Sequence, residues 1–151
     1  MRIEIYGVNN LNFVEFNISG DNDTYQPCDK DSLYMDTEMF NLFSGCFERS
    51  NNIYDYFDPT KYNSRHFVVL SNELKLNAQI IKKIDGYERF VDFTGSIFLG
   101  SNFVLELEKI DKNWKLNWEL YRSKLLAVNE QLIDIINRCM IEDRILWLIG
   151  Y

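Results

Sequence analysis

Proline, alanine and histidine are scarce in this chain of 151 residues: two prolines, two alanines and one histidine. Its three cysteines, Cys28, Cys46 and Cys139, show no C-x-x-C spacing. With a single histidine and cysteines this scattered, zinc is a poor reading. An odd cysteine count in a cytosolic chain reads as reduced thiols. Cys46 and Cys139 fall on apolar helix faces and are expected in the core, whereas Cys28 is expected to be exposed in a loop. No apolar run approaches the length of a membrane span. The start, Met1-Arg2-Ile3-Glu4-Ile5, places an acid where a signal peptide needs an apolar stretch, so a cytoplasmic protein is expected. G-x-S-x-G, H-E-x-x-H and P-loop motifs are all absent. Sixteen asparagines, with frequent Ile, Lys, Tyr and Phe, read as the coding bias of an AT-rich gene. The two Asn-x-Ser/Thr matches, at Asn17 and Asn22, follow from that density and imply no secretion.

At 18.0 kDa the chain suits one domain able to bury a core without disulfide or metal staples. Hydrophobic residues at 46% and charged residues at 26% exclude wholesale disorder. The net charge of −7 is unevenly placed. Residues 1–60 hold eleven acids and three bases, or −8, while residues 61–151 hold twelve acids and thirteen bases, or +1. Such a surface repels nucleic-acid phosphates and anionic lipid and attracts a basic partner. No nucleic-acid and no membrane partner is therefore expected.

Periodicity predicts a single-domain α+β fold over residues 1–151, with a mostly antiparallel sheet and about three helices. Strands at 2–7 and 12–19 around a Val8-Asn9-Asn10 turn read as a hairpin. Residues 20–32 are a polar, acidic loop. Asp36 can cap a helix over 37–49, striped by Met39, Phe40, Phe43, Cys46 and Phe47. Residues 53–63 read as a loop or a short edge segment stopped by Pro59. His66–Leu70 reads as a buried strand. Ser71 can cap a helix over 72–84, with an alternating strand as the rival. Tyr87–Phe93 and Ser96–Leu99 read as strands. Residues 103–121 read as a hairpin around Asp111-Lys112-Asn113, in competition with a helical face of Phe103, Leu107, Ile110, Trp114, Trp118 and Tyr121. Ser123 can cap a helix over 124–141. Residues 144–149 read as a last strand, central in the sheet and buried on both faces.

Few catalytic constellations survive. Asp21-Asn22-Asp23 opens like a calcium loop, but Gln26 and Ser32 stand where the EF-hand needs Gly and Glu. Cys46 and His66 are a conceivable thiol pair, yet a buried thiol has a raised pKa and little reactivity. Asp55 and Asp58 form a carboxylate pair of a kind expected by chance where acids are this dense. No catalytic residue, metal or cofactor is expected, and the chain reads as a binding protein and not an enzyme.

An acidic, aromatic surface remains. Six of the nine tyrosines lie in residues 1–62, and Tyr54-Asp55-Tyr56-Phe57-Asp58 interleaves rings with carboxylates. Exposed tyrosine gives contact area at low entropic cost, and surrounding carboxylates meet lysine and arginine on a partner. The bland reading turns these rings inward to complete the core. In general character, carried by Tyr54–Asp58, Asp21-Asn22-Asp23 and the Asp36-Thr37-Glu38 helix start, the chain resembles the immunity proteins of bacterial polymorphic toxin and contact-dependent growth inhibition systems. The resemblance implies a cytoplasmic inhibitor, monomeric or weakly dimeric, that binds the C-terminal domain of a cognate toxin, a basic protein such as a nuclease. The expected contact residues are Asp21, Asp23, Glu48, Tyr54, Asp55, Tyr56 and Asp58. The hairpin expected at 103–121 also resembles cone-shaped α+β folds with a curved sheet. That alternative implies a small-molecule or enzymatic pocket near Trp114 or Trp118.

Overall fold

The computed structural model of the chain describes residues 1–7 and 13–150. The expected turn at Val8-Asn9-Asn10 lies outside them. Along the chain run β1 (Phe13–Asn17), β2 (Leu33–Asp36), α1 (Thr37–Ser50), β3 (Thr60–Tyr62), α2 (Ser64–Lys82), α3 (Tyr87–Gly95), α4 (Ser101–Ile110), α5 (Trp118–Ile141) and β4 (Leu146–Gly150). The four strands form one antiparallel sheet in the order β2-β1-β4-β3. The fold is α+β, as expected, but it has five helices among the described residues, not about three. No described helix is long and apolar enough to cross a membrane.

Period-two alternation sorts the two faces of the sheet. Val14, Phe16, Met35, Leu146 and Leu148 point toward the helices and join the main core. There they meet α1, which is buried on nearly every side, including Met39, Phe40, Phe43 and Phe47. Behind α1 lies α2, itself packed on α5, while α4 packs on α1 and α3. The other sheet face carries Glu15, Asn17, Tyr34, Trp147 and Lys61. The acidic loop 20–32 closes over it. Fully buried Glu15 accepts the Cys28 amide at 3.0 Å, the Ser32 hydroxyl at 2.6 Å and the Asn17 amide at 2.9 Å. Trp147 donates its indole N–H to the Asp21 carbonyl, and Lys61 donates to that of Asn22.

Several expectations need correction. Residues 2–7 do not pair with β1. Tyr6 instead bridges Tyr34 at the free edge of β2, and its hydroxyl donates to Asp36 at 2.5 Å. Asp36 occupies the N-cap position of α1, but makes no side-chain cap; its carboxylate accepts from Tyr6 and from the Arg2 amide. His66–Leu70 is helical, because α2 begins eight residues before the position Ser71 would set. Asn63 is the cap: its side chain accepts the Arg65 amide, and His66 Nδ1 accepts the Asn63 amide in return. The segment 72–84 is helical to Lys82, as preferred over the strand.

Tyr87–Phe93 lies in α3, not a strand, and residues 96–99 form turns. The hairpin at 103–121 is replaced by α4, a turn and the start of α5. The competing helical face holds in part: Phe103, Leu107, Trp114 and Tyr121 are buried, whereas Trp118 is half-buried and Ile110, at the end of α4, is 51% exposed. Asp111 does turn the chain, between two helices: its carboxylate accepts from the Asn113 amide, Asn117 Nδ2 and the Tyr121 hydroxyl. Ser123 lies inside α5 and donates to the Glu119 carbonyl. Expectations for the 37–49 helix, the loop at 20–32 and a loop or short edge segment over 53–63 agree with α1, that loop and β3, and the last strand is central as expected, though it runs from Leu146 and Trp147 is only half-buried.

Candidate functional site

The segment after α1 is held by short polar side chains. Buried Asn51 donates to the Lys61 carbonyl at 2.9 Å, and its own side-chain oxygen accepts the Ile53 amide. Thr60 Oγ1 accepts the Asp55 amide at 3.1 Å, and Asp55 Oδ1 accepts the Phe57 amide at 2.8 Å. These turns set the directions of Tyr54, Asp55, Tyr56 and Phe57 before any partner arrives.

The two tyrosines turn inward, in line with the bland reading, and only Phe57 faces out. Tyr56 donates to buried Asn41 on α1, whose amide reaches the Leu99 carbonyl. The Tyr56 ring makes edge contacts with Phe57 at 5.0 Å and with Phe98 at 5.9 Å. Burial pushes both tyrosine hydroxyls above their ordinary pKa of 10.0, and the carboxylate of Glu38 adds to the effect on Tyr56. The Tyr54 hydroxyl is buried and has no hydrogen-bond partner among the described residues. Phe57 is 79% exposed and Phe98 66% exposed, which is unusual for side chains of this size.

Between α1, the 54–57 segment, α2 and the α3–α4 connection lies an open groove of about 640 Å³. Glu48 and Asp55 line it, and among the described residues Arg49 is its only cationic lining residue. Arg49 is held by Glu73 of α2 at 2.6 Å, an ion pair that raises its pKa further. The groove is therefore acidic and aromatic in net character. It brings together Glu48, Tyr54, Asp55 and Tyr56 of the expected contact residues. Asp58 is exposed just beyond the lining. Asp21 and Asp23 are exposed on the acidic loop; Asp21 lines a separate shallow hollow with Ser19, Thr24 and Gln26. Phe98, Asn41 and the Arg49–Glu73 pair escaped the sequence reading. Phe98 lies in a segment whose pattern suits a strand but which folds as turns.

The other constellations have structural explanations. Asp21 Oδ1 accepts the amides of Asp23 and Thr24, both at 2.8 Å, so the D-x-D sequence builds a turn. Among the described residues no three His, Cys, Asp or Glu side chains cluster as a metal site would require. Burial pushes the Cys46 thiol up to about 12 and the Cys139 thiol to about 11. His66 Nδ1 is engaged in its helix cap. Trp114 is 2% exposed and packs on Phe90 in the core. Neither it nor Trp118 lines any of the hollows described above, and the curved hairpin that suggested a pocket there does not form.

Comparison with protein-family models, with curated proteins and with solved structures found no match to this chain.

Proposed function

We propose that this chain is an immunity-type inhibitor, which uses the groove beside Tyr54–Phe57 to bind a basic surface of a toxin domain. The observation that carries the proposal is the pairing of two exposed phenylalanines, Phe57 and Phe98, with the carboxylates Glu48 and Asp55 around one groove. Exposed rings on a braced backbone supply apolar contact at little entropic cost, as binding hot spots do. The carboxylates favour lysine or arginine and speed encounter with a basic partner. The excess of acids in residues 1–60 extends that field across the neighbouring surface, including Asp21, Asp23 and Asp58. A basic nuclease cleft has the complementary chemistry. Such a role belongs in the cytoplasm, with one inhibitor per toxin domain and no cofactor.

Co-expression with the product of the neighbouring upstream gene, followed by native mass spectrometry, tests the proposal. The expected result is a one-to-one complex that weakens with salt. It should weaken further when Glu48 and Asp55 are both changed to lysine. A bare 18.0 kDa species, or a complex indifferent to both salt and charge reversal, would overturn it.

A further inference from the structure

α1, α5 and β3 pack against α2, and Phe67, Leu70, Leu74 and Ile81 supply its buried side. A surface helix needs one apolar stripe, toward the core. α2 carries a second one facing outward: Val68, Val69, Leu76 and Ile80 are between 43% and 60% exposed. At about 100° per residue, Val69, Glu73, Leu76 and Ile80 fall within an arc of about 60°. Their steps of four, three and four residues are the spacing of a seam that receives another helix. Glu73 interrupts the apolar line, and Arg49 holds its carboxylate at 2.6 Å. Single exposed apolar residues are ordinary, but three on one seam, over about 16 Å of helix, form a patch. Arg65, Lys75, Lys82 and Lys83 are exposed along one flank of that seam. None of the four side chains makes an ion pair or hydrogen bond among the described residues. The one acid of α2 is Glu73, already paired with Arg49. On a chain whose net charge is −7, the flank is a local excess of unpaired cations.

We infer that the outward seam of α2 is a docking surface for an acidic amphipathic helix of a partner protein. The partner's apolar residues pack against Val69, Leu76 and Ile80, and its carboxylates meet Arg65, Lys75, Lys82 and Lys83. A second copy of this chain is a poorer occupant. A twofold antiparallel pairing that sets Val69 against Ile80 brings Arg65 of one copy beside Lys83 of the other, and a parallel pairing sets each cation against itself. Like charges so placed repel. A bilayer surface is poorer too, because the seam carries no aromatic residue and the net charge of the chain repels anionic lipid. Of the described α2 residues only Asn77 lines the groove, which calls for a basic partner, so the seam is a separate surface.

The test is an amide-resonance titration of the full chain with two stapled helical peptides of about 18 residues, or about five turns. Both carry leucine at the seam spacing; one has glutamate on its flanks and the other lysine. The acidic peptide should give saturable shifts confined to residues 64–83 and their neighbours. It should bind about tenfold more tightly than the basic one, or better. Arg65→Glu, Lys75→Glu, Lys82→Glu and Lys83→Glu combined should reverse that preference. Leu76→Asp should abolish binding of the acidic peptide and leave the melting temperature unchanged, because Leu76 is exposed. Absence of saturable shifts with the acidic peptide would overturn the inference. So would equal affinity for the two peptides, or shifts centred on another surface. Shifts at the same residues with phosphatidylglycerol vesicles, and with neither peptide, would assign the seam to a lipid surface instead. None of these outcomes bears on complex formation at the groove.

Discussion

Tyr56 donates its phenolic hydrogen to the side-chain oxygen of Asn41, 15 residues earlier in the chain, at 2.5 Å. Through the Asn41 amide the same link reaches Leu99, 58 residues from Asn41. One buried amide on α1 thus connects the 54–57 wall with the connection that carries Phe98, and these are two sides of the groove. Tyr56→Phe keeps the ring and leaves the Asn41 oxygen without its partner. The expected loss is about 1–3 kcal/mol, read as a lowered urea midpoint with an unchanged slope.

Phe57 and Phe98 contribute little to the core, being largely exposed. Phe57→Ala should therefore shift stability by no more than about 0.5 kcal/mol. On the proposed function it should weaken the partner complex by about 2 kcal/mol, roughly thirtyfold. Calorimetry on the same samples reads both quantities. A matched loss in folding and binding would assign Phe57 to the fold instead.

Glu15 holds down the acidic loop. Glu15→Gln replaces a carboxylate that accepts from Asn17, Cys28 and Ser32 with an amide that presents donors to donors. A destabilisation of about 2–4 kcal/mol is expected, since hydrogen bonds to charged groups are the stronger ones. Hydrogen exchange should accelerate first at the Cys28 and Ser32 amides, with the helices following only at global unfolding.

His66 makes one end of α2 sensitive to pH. Partial burial, and then the charges of Arg65 and Lys61, hold its pKa below the ordinary 6.5. A folded-state pKa below the unfolded one means that the unfolded chain takes up the proton more readily. The contribution is therefore complete above pH 6.5 and is lost as pH falls through the folded value. Protonation also removes the Nδ1 acceptor of the Asn63 amide. His66→Gln retains a capping-box acceptor and does not titrate. Thermal melts between pH 7.5 and 5 should show the native chain losing stability relative to this variant, with the two curves parallel above about pH 7.

The three thiols separate by burial. Cys28 is exposed, whereas Cys46 and Cys139 are buried with raised pKa values of about 12 and 11. A disulfide exchange reagent should modify one thiol rapidly in the native chain and the other two only at the rate of unfolding. Rapid modification of a second thiol would contradict the burial of α1 or α5.

The readable elements share one property: local pattern and tertiary surroundings agree. The stripe of α1 from Met39 to Phe47 and the stripe of α5 from Leu125 to Cys139 are buried as their periods require, and so are Leu146, Leu148 and Ile149 of β4. The elements read as strands that fold as helices have residues suited to both. Tyr87–Phe93 and residues 103–121 are rich in Tyr, Phe, Val and Trp, which fit a pleated surface as well as a helix face. Packing decides for the helix, because α4 has α1 and α3 to lie against. The start of α2 was missed because its cap is an Asn63–His66 pair, and histidine at that position is not the usual partner.

The groove was half legible. Acids and rings at Glu48 and Tyr54–Phe57 stand out in the sequence, because charge and aromaticity are properties of single residues. Which rings turn inward is not such a property. Tyr54 and Tyr56 are half buried because a cleft beside α1 accepts them, and Phe57 is exposed because Asp55 turns the backbone first. Phe98 joins them only through contacts between distant segments.

Residue types and their spacing were enough for much of the core, the acidic half of the chain and the stripes of α1 and α5. These follow from local spacing and from the free energy of burying apolar surface. The strand order, the helical state of residues 87–95 and 101–110, and the meeting of Glu48, Asp55, Phe57 and Phe98 around one groove came from the fold as a whole. Those depend on contacts between residues far apart in the chain. Their free energy appears only when the whole core closes, and local period carries no record of it.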